Sequence, residues 1–422
     1  METQRPTYTY DQAYEASVKY FDGDELAARV WASKYALKDS FGTLYELTPD
    51  DMHHRIAAEL ARIEAKYPNP MSHDEIFALL RDFRYIVPQG SPMAGIGNDM
   101  QAVSLSNCFV IGLDGHPDSY GGIMRIDEEQ VQLMKRRGGV GHDLSHLRPK
   151  GTPVKNSALT STGLVPFMER YSNSTREVAQ DGRRGALMLT VSSRHPDAEA
   201  FIDAKMEQGK VTGANVSVRI DDEFMRCAES GEPYLQRFPV DSPDPAVTKE
   251  TDARALWAKI VHNAWQSAEP GVLFWDTIRR ESVPDCYADL GFETISTNPC
   301  GEQPLLPYEA CNLGSINLVH HLRRTETGYA LDRAKLEQTI RTAVHFLDNV
   351  IEVNQYPLPE IDAMTKKTRK IGLGIMGFAD MLLYLGIPYD SDEGVAMASQ
   401  VMELVQTIGH QESQRLAQVR GP

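Results

Sequence analysis

Cysteine is scarce in this chain, five in 422 residues, at positions 108, 227, 286, 300 and 311. An odd and sparse count excludes a disulfide framework as the basis of the fold. No two of them stand in the CxxC spacing of a zinc knuckle or a thioredoxin-like redox pair, so a structural zinc site is not expected. Long apolar runs are missing as well. No uninterrupted apolar stretch reaches the length of a membrane-crossing helix, and the opening Met1-Glu2-Thr3-Gln4-Arg5-Pro6 lacks the apolar core of a signal peptide. Basic residues are in deficit, 43 Lys and Arg against 59 Asp and Glu for a formal net charge of −16. That balance opposes a broad surface for nucleic acid or an anionic membrane, and leaves any anionic small ligand dependent on a local pocket. The twelve histidines form no HExxH or other helix-face ligand pair, and the adjacent His53 and His54 point apart on a helix. These absences lead us to expect a soluble, cytoplasmic protein whose cysteines, if they do chemistry, do it by redox or nucleophilic routes.

Hydrophobic content of 41% and charge of 24% are ordinary for globular chains, and the length suits two or three domains or one large barrel with an appendage. The first 85 or so residues read as helices. Thr48 and Pro49 open one, with Ile56, Leu60 and Ile63 at helical spacing, and Tyr67-Pro68-Asn69-Pro70 ends it. Ser72 and Glu75 make a capping box for the next. From Tyr85 onward short β-like runs such as residues 102–111 alternate with longer helical patterns, which predicts an α/β layer or barrel. Residues 229–251, with Pro233, Pro239, Pro243 and Pro245, read as a loop or surface excursion. Leu336, Ile340, Val344, Leu347 and Ile351 mark an amphipathic helix that stops before Pro357.

The densest chemistry lies in Ser296-Thr297-Asn298-Pro299-Cys300-Gly301-Glu302 and, just beyond, Glu309-Ala310-Cys311-Asn312-Leu313-Gly314-Ser315. Asn298 and Glu302 flank Cys300 two residues on either side, while Pro299 locks φ before it and Gly301 frees φ after it. Such a turn can hold a sulfur outward between an amide and a carboxylate; a buried cysteine in an ordinary turn is the plainer alternative. Gly372-Leu373-Gly374-Ile375-Met376-Gly377 satisfies GxGxxG, but Thr365-Lys366-Lys367-Thr368-Arg369-Lys370 before it is no buried strand. We read it as a decoy, small residues allowing tight helix packing. Arg137-Gly138-Gly139-Val140-Gly141 carries more glycine than a helix cap needs, leaving backbone N–H groups open to a phosphate or sugar. Asp181-Gly182-Arg183-Arg184-Gly185-Ala186 could clamp an anion or be a solvated turn. His195-Pro196-Asp197 looks like a helix start rather than a catalytic group.

Taken together with Ser91-Pro92-Met93-Ala94-Gly95 and Ser106-Asn107-Cys108, the Arg137–Gly141 run and the two cysteine segments resemble, in order and spacing, the ribonucleotide reductase large subunit. The similarity runs from about residue 25 to the end. Asn-Pro-Cys-Gly-Glu followed by Glu-Ala-Cys-Asn-Leu-Gly-Ser is most like the class II, adenosylcobalamin-dependent branch. The resemblance implies an α/β fold: a helical N-terminal domain over residues 1–85, then over 86–422 the first part of a ten-stranded α/β barrel with the cysteine loop threaded through it. It implies that Cys300 is the thiyl radical, that Glu302 takes the 3′-hydroxyl proton, and that Asn298 holds the sugar oxygens. Cys108 and Cys311 would supply the electrons and end as a disulfide. By the same carry-over Ser91, Asn107 and Gly139 would touch the ribonucleotide substrate, as would Pro299 and Gly301 of the loop. The loops over 149–163 and 179–186 resemble the specificity loops, with Asp118, Arg148 and Arg183 as contacts to a deoxynucleotide effector. A thioredoxin-like reductant and a homodimer are also implied.

Two alternatives stay open at this stage, a class I large subunit that receives its radical from a metal-containing partner subunit and a non-catalytic nucleotide-binding module. An N-terminal ATP cone is not recognisable, and the sequence stops at Val419-Arg420-Gly421-Pro422, before the family's Pro-Thr-Gly-Thr segment, paired tyrosines and C-terminal cysteines. The expectation is that a second polypeptide completes the barrel.

Overall fold

The computed structural model describes residues 5–112, 118–180 and 183–421, the side chains at 179, 180, 183 and 184 excepted. Two compact units divide the chain. One combines Met1–Asn107, Cys311–Tyr356 and Arg369–Pro422; the other combines Cys108–Ala310 and Pro357–Thr368.

The first unit opens with helices Tyr10–Tyr20, Glu25–Lys34, Pro49–Glu64 and His73–Leu80. Their ends follow local chemistry. Pro49 takes the first helical position, where no N–H is needed, and the Asp51 carboxylate accepts the N–H groups of Leu47 and Thr48 at 2.8 and 3.0 Å. Ser72 and Glu75 exchange backbone and side-chain bonds as a capping box. Met52, Ile56 and Leu60 lie on one helical face and are fully buried, packed in one core with Leu336, Ile340 and Phe346 of helix Arg333–Val353 and Val401 and Val405 of helix Asp392–Arg420. Strand Ile86–Pro88 runs antiparallel to Glu309–Asn317, and Ile371–Met376 runs parallel to the latter, with Asn312 opposite Ile371. The GxGxxG segment is therefore a strand, not a helix contact. Ile371, Leu373 and Ile375 alternate with glycine and face the core, the period of a strand.

A saturated charge network fixes this unit. Arg420, at the end of its helix, donates to Asp348 and Asn349 at 2.6 Å each and to Glu64 at 2.8 Å, and stacks on Tyr67. Glu64 also receives Met71 N–H at 2.9 Å and Asn349 at 2.5 Å and pairs with His345 at 2.7 Å. Burial alone would push the Glu64 carboxyl up, but the bonds from His345, Met71 and Asn349 outweigh it and hold the group at about 2.

The second unit is built on five parallel strands in the order Cys108–Val110, Gly139–Asp143, Ala186–Ser192, Asn215–Ile220 and Gly271–Phe274. Helices Tyr120–Met134, Val165–Glu177 and Ala253–Ser267 are among the elements that connect them, which makes this the alternating α/β pattern expected from sequence. Two readings need correction. The strand read over residues 102–111 is regular only at Cys108–Val110, because Leu105 N–H goes to the Asn354 side chain and Ser106 N–H to Ser104 Oγ, which takes both out of a ladder. Residues 229–251 are not a plain loop: Pro233–Phe238 and Val247–Asp252 form an antiparallel hairpin, with Tyr234, Gln236 and Phe238 turned inward at strand spacing.

Candidate active site

The cysteine segment is a hairpin. Ser296 pairs with Leu305 and Thr297 with Pro304, so residues 298–303 form its tip. Asn298 closes the tip across its neck: its side-chain oxygen accepts Gln303 N–H at 2.9 Å and the Thr297 hydroxyl at 3.2 Å, and its backbone carbonyl accepts Gly301 N–H at 3.0 Å. Gly301 sits at φ +87°, a left-handed value that a side chain would strain. The Pro299 carbonyl is held from outside the loop by Asn215 Nδ2 at 2.7 Å. Cys300 is consequently exposed at the tip.

With its oxygen committed, the Asn298 amide turns its nitrogen to Cys108, donating to Sγ at 3.2 Å. Cys108 is buried at the first position of its strand, next to Gly139 in register. Its sulfur also lies 4.0 Å from the carboxylate of Glu302, which is itself exposed. Burial, then the Glu302 charge, pushes the Cys108 thiol up to about 12 against the opposing bond from Asn298. The structure thus brings Asn298, Cys108 and Glu302 into contact and leaves Cys300 on the rim of that cluster.

The base of the hairpin is locked by residues that sequence reading did not single out. Thr190 Oγ1 meets Ser296 Oγ at 3.0 Å and donates to Asp143 at 2.9 Å. Arg219 pairs with Asp143 at 3.2 Å, donates to the Ile295 carbonyl at 2.7 Å, and lies over the Trp275 ring at 4.2 Å. At Gly141 a Cβ would be driven into the Thr297 carbonyl oxygen, so only glycine lets this strand and the hairpin approach. A glycine inside a strand was the available signal for that crossing. Read along the chain, Gly141 belongs to a run open to a phosphate or sugar; in the fold it serves this crossing.

Ser91, Asn107 and Cys311 belong to the first unit. Asn107 Nδ2 donates to the fully buried Ser91 Oγ at 2.7 Å, while Asn107 Oδ1 is buried with no partner among the described residues. An orphaned acceptor of this kind suits a ligand donor. Cys311 is fully buried in strand Glu309–Asn317, its Sγ 3.4 Å from the Asn312 carbonyl. In the second unit Arg148 binds Asp118 through both its backbone N–H, at 3.0 Å, and Nε, at 2.8 Å. The pair lines a cavity of about 470 Å3 together with Lys155, Asn156, Thr160 and Ser161. The Arg183 side chain lies outside the described residues.

Comparison with known proteins decides the family. Residues 106–422 match the family model for the ribonucleotide reductase barrel domain, and residues 21–98 match that for its all-alpha domain. The chain belongs to the ribonucleotide reductase large-subunit family. A vitamin B12-dependent ribonucleoside-diphosphate reductase of Thermoplasma acidophilum is 33% identical over 94% of this chain and 57% of its own length. One of Mycobacterium tuberculosis, strain CDC 1551, is 37% identical over 94% of this chain and 55% of its own. A vitamin B12-dependent ribonucleotide reductase of Streptomyces clavuligerus is 29% identical over 83% of this chain. The chain spans a little over half the length of the first two relatives. The family's helical domain followed by its barrel domain is the architecture the sequence led us to expect.

Proposed function

We propose that this chain carries the cysteine machinery of a ribonucleotide reductase that forms 2′-deoxyribonucleotides, DNA precursors, by thiyl-radical chemistry. The observation that carries the reading is the contrast between two sulfurs: Cys300 exposed at the hairpin tip, and Cys108 buried as a neutral thiol against Asn298 and Glu302. An oxidised Cys300 takes the 3′-hydrogen of the ribose, breaking a C–H bond and forming an S–H bond of similar strength. Glu302 accepts the 3′-hydroxyl proton. The second Asn298 N–H, not used on Cys108, is the one left for a sugar oxygen. Loss of the 2′-hydroxyl as water then needs a proton and two electrons. Cys108 and Cys311 together supply two hydrogens and become a disulfide, Cys300 returns its hydrogen to C3′ and Glu302 its proton to the 3′ oxygen, so ribonucleotide plus two thiols balance deoxyribonucleotide, water and disulfide. A proton donor must still hold its proton at neutral pH, and the upward shift of Cys108 keeps it there.

The relatives named as vitamin B12-dependent support adenosylcobalamin as the cofactor. When bound, it would supply the one-electron oxidising equivalent for Cys300, and the exposure of that sulfur fits an external source. We further propose that Ser91, Asn107, Gly139, Pro299 and Gly301 contact the substrate, and that the Asp118–Arg148 cavity takes a deoxynucleotide effector with Arg183 as a further contact. A helical domain over 1–85, a catalytic barrel from 86, a homodimer, a thioredoxin-like reductant and a cytoplasmic setting complete the reading; among the described residues no helix is long and apolar enough to cross a membrane. The test is isotope exchange at the ribose 3′ position, in whichever polypeptide or pair of polypeptides spans the length of the relatives. Cys108→Ser should retain exchange and block product formation, whereas Cys300→Ser should lose both. Ribonucleotide reduction by Cys300→Ser would overturn the proposal.

A further inference from the structure

A second polar cavity, of about 380 Å3, opens in the second unit at the C-terminal ends of the parallel strands. Asp143 and Ser192 close their strands there, Arg219 stands one residue from the end of Asn215–Ile220, and Trp275 follows directly on Gly271–Phe274. Cys108 and Gly139, by contrast, are the first residues of their strands. The cavity and the Cys108 cluster therefore lie toward opposite ends of these strands, and the cysteine hairpin reaches both: Ile295 lines the cavity and Asn298 touches Cys108.

Charge in this cavity is unevenly used. Asp143, Asp221 and Glu293 are each paired, with Arg219, Arg194 and Arg279. Asp276 accepts Asp222 N–H at 2.8 Å, and Asp241 is exposed at the rim. Among the described lining residues five carboxylates stand with four guanidiniums, yet particular nitrogen groups lack acceptors. Arg219 Nε and His146 Nδ1 are buried without a partner among the described residues. Arg237 spends Nε on the Val240 carbonyl at 3.0 Å, and its guanidinium makes no ion pair among the described residues. A buried Arg219 Nε–H without an acceptor is costly, and with the unpaired Arg237 guanidinium lining the same cavity it calls for an acceptor.

We infer that this cavity binds a small oxyanion, a phosphate or carboxylate group, held by the forked guanidinium of Arg237 and by Arg219 Nε. Occupancy is transmitted to the cysteine hairpin, because the same Arg219 holds the Ile295 carbonyl and the Asp143 carboxylate that fix the hairpin's base. Neither statement depends on the reductive chemistry proposed above.

The test is calorimetric titration of the 422-residue chain with inorganic phosphate and, separately, with succinate. Saturable binding of at least one anion is expected, and the arm that binds identifies the group. Arg237→Gln should weaken it by about tenfold or more, with Arg237→Lys, which keeps charge but loses the fork, falling between. At saturation, iodoacetamide labelling of Cys300, read by peptide mass spectrometry against the exposed Cys286, should change by about threefold or more in the parent chain and not in Arg237→Gln. Thermal melts establish that both variants are folded; should Arg237→Gln not fold, Arg237→Lys carries the comparison. Failure of both anions to bind, or binding indifferent to Arg237, overturns the site. Binding with unchanged Cys300 labelling overturns the link to the hairpin.

Discussion

Two buried polar clusters in this chain are built on opposite plans. Around Glu64 and Arg420 in the first unit, each carboxylate is met by several donors: Glu64 by Arg420, His345, Asn349 and Met71 N–H, and Asp348 by both Arg369 and Arg420. Around Cys108 in the second unit, a buried thiol has one amide contact at 3.2 Å and a carboxylate at 4.0 Å. The first arrangement has used its donors and acceptors and can only hold helices together. The second sets an exposed carboxylate and an exposed sulfur beside a buried one. The contrast separates a cluster built to hold helices together from the one for which we propose chemistry, and in a low dielectric the difference in polar pairing counts.

The largest effect should come from the chemical side. Cys300→Ser is expected to lower ribose 3′-hydrogen exchange by about a thousandfold or more, while leaving the urea unfolding midpoint unchanged because the side chain is exposed. A shifted midpoint would mean that the tip is structural after all. On the saturated side, Arg420→Ala takes one cation from both Glu64 and Asp348, which keep His345 and Arg369, so the loss should stay below about 3–5 kcal/mol, the cost of a buried charge left wholly unpaired; urea unfolding should show it. Gly141→Ala comes next. Forcing a Cβ against the Thr297 carbonyl is an overpacking change worth about 1–3 kcal/mol, and it should speed or slow Cys300 labelling by displacing the hairpin base.

Acid sharpens the comparison further. The Glu64 carboxyl is held at about 2 in the folded chain, below its unfolded value near 4.5. Its contribution is therefore complete above the unfolded value and is lost as pH falls from there toward about 2. Glu64→Gln should flatten the unfolding midpoint across that window, and an unaltered acid profile would remove Glu64 from the account. The smallest effect concerns accessibility. At pH 8 iodoacetamide should label Cys300 and Cys286 in the native chain well before Cys108, whose thiol is buried and pushed up to about 12. Equal labelling of Cys108 would contradict its assigned environment.

Helix limits were legible because their causes are local. Thr48-Pro49 and the Ser72–Glu75 box act over three residues, and the Leu336–Ile351 stripe over its own helix. Strand limits were not. Residues 104–107 look β-like until Asn354, distant in sequence, takes the Leu105 N–H, and the prolines of 229–251 hid a hairpin whose inward row is Tyr234, Gln236 and Phe238. The same distinction runs through the site. Asn298, Cys300 and Glu302 advertise themselves by chemistry and spacing, whereas Thr190, Asp143, Arg219 and Asn215 are ordinary until the chain crosses itself and puts the hairpin base between them.

The sequence by itself determined where the five sulfurs stand, where the helices start and stop, and that Pro299 and Gly301 turn the chain around Cys300. These rest on side-chain identity and on φ preferences within a few residues. Only the tertiary structure decided which sulfur is exposed and which is buried as a neutral thiol, why Gly141 admits no side chain, and that Arg219 ties the hairpin to a second cavity. Burial and close approach depend on segments far apart in the chain, and no local pattern encodes them.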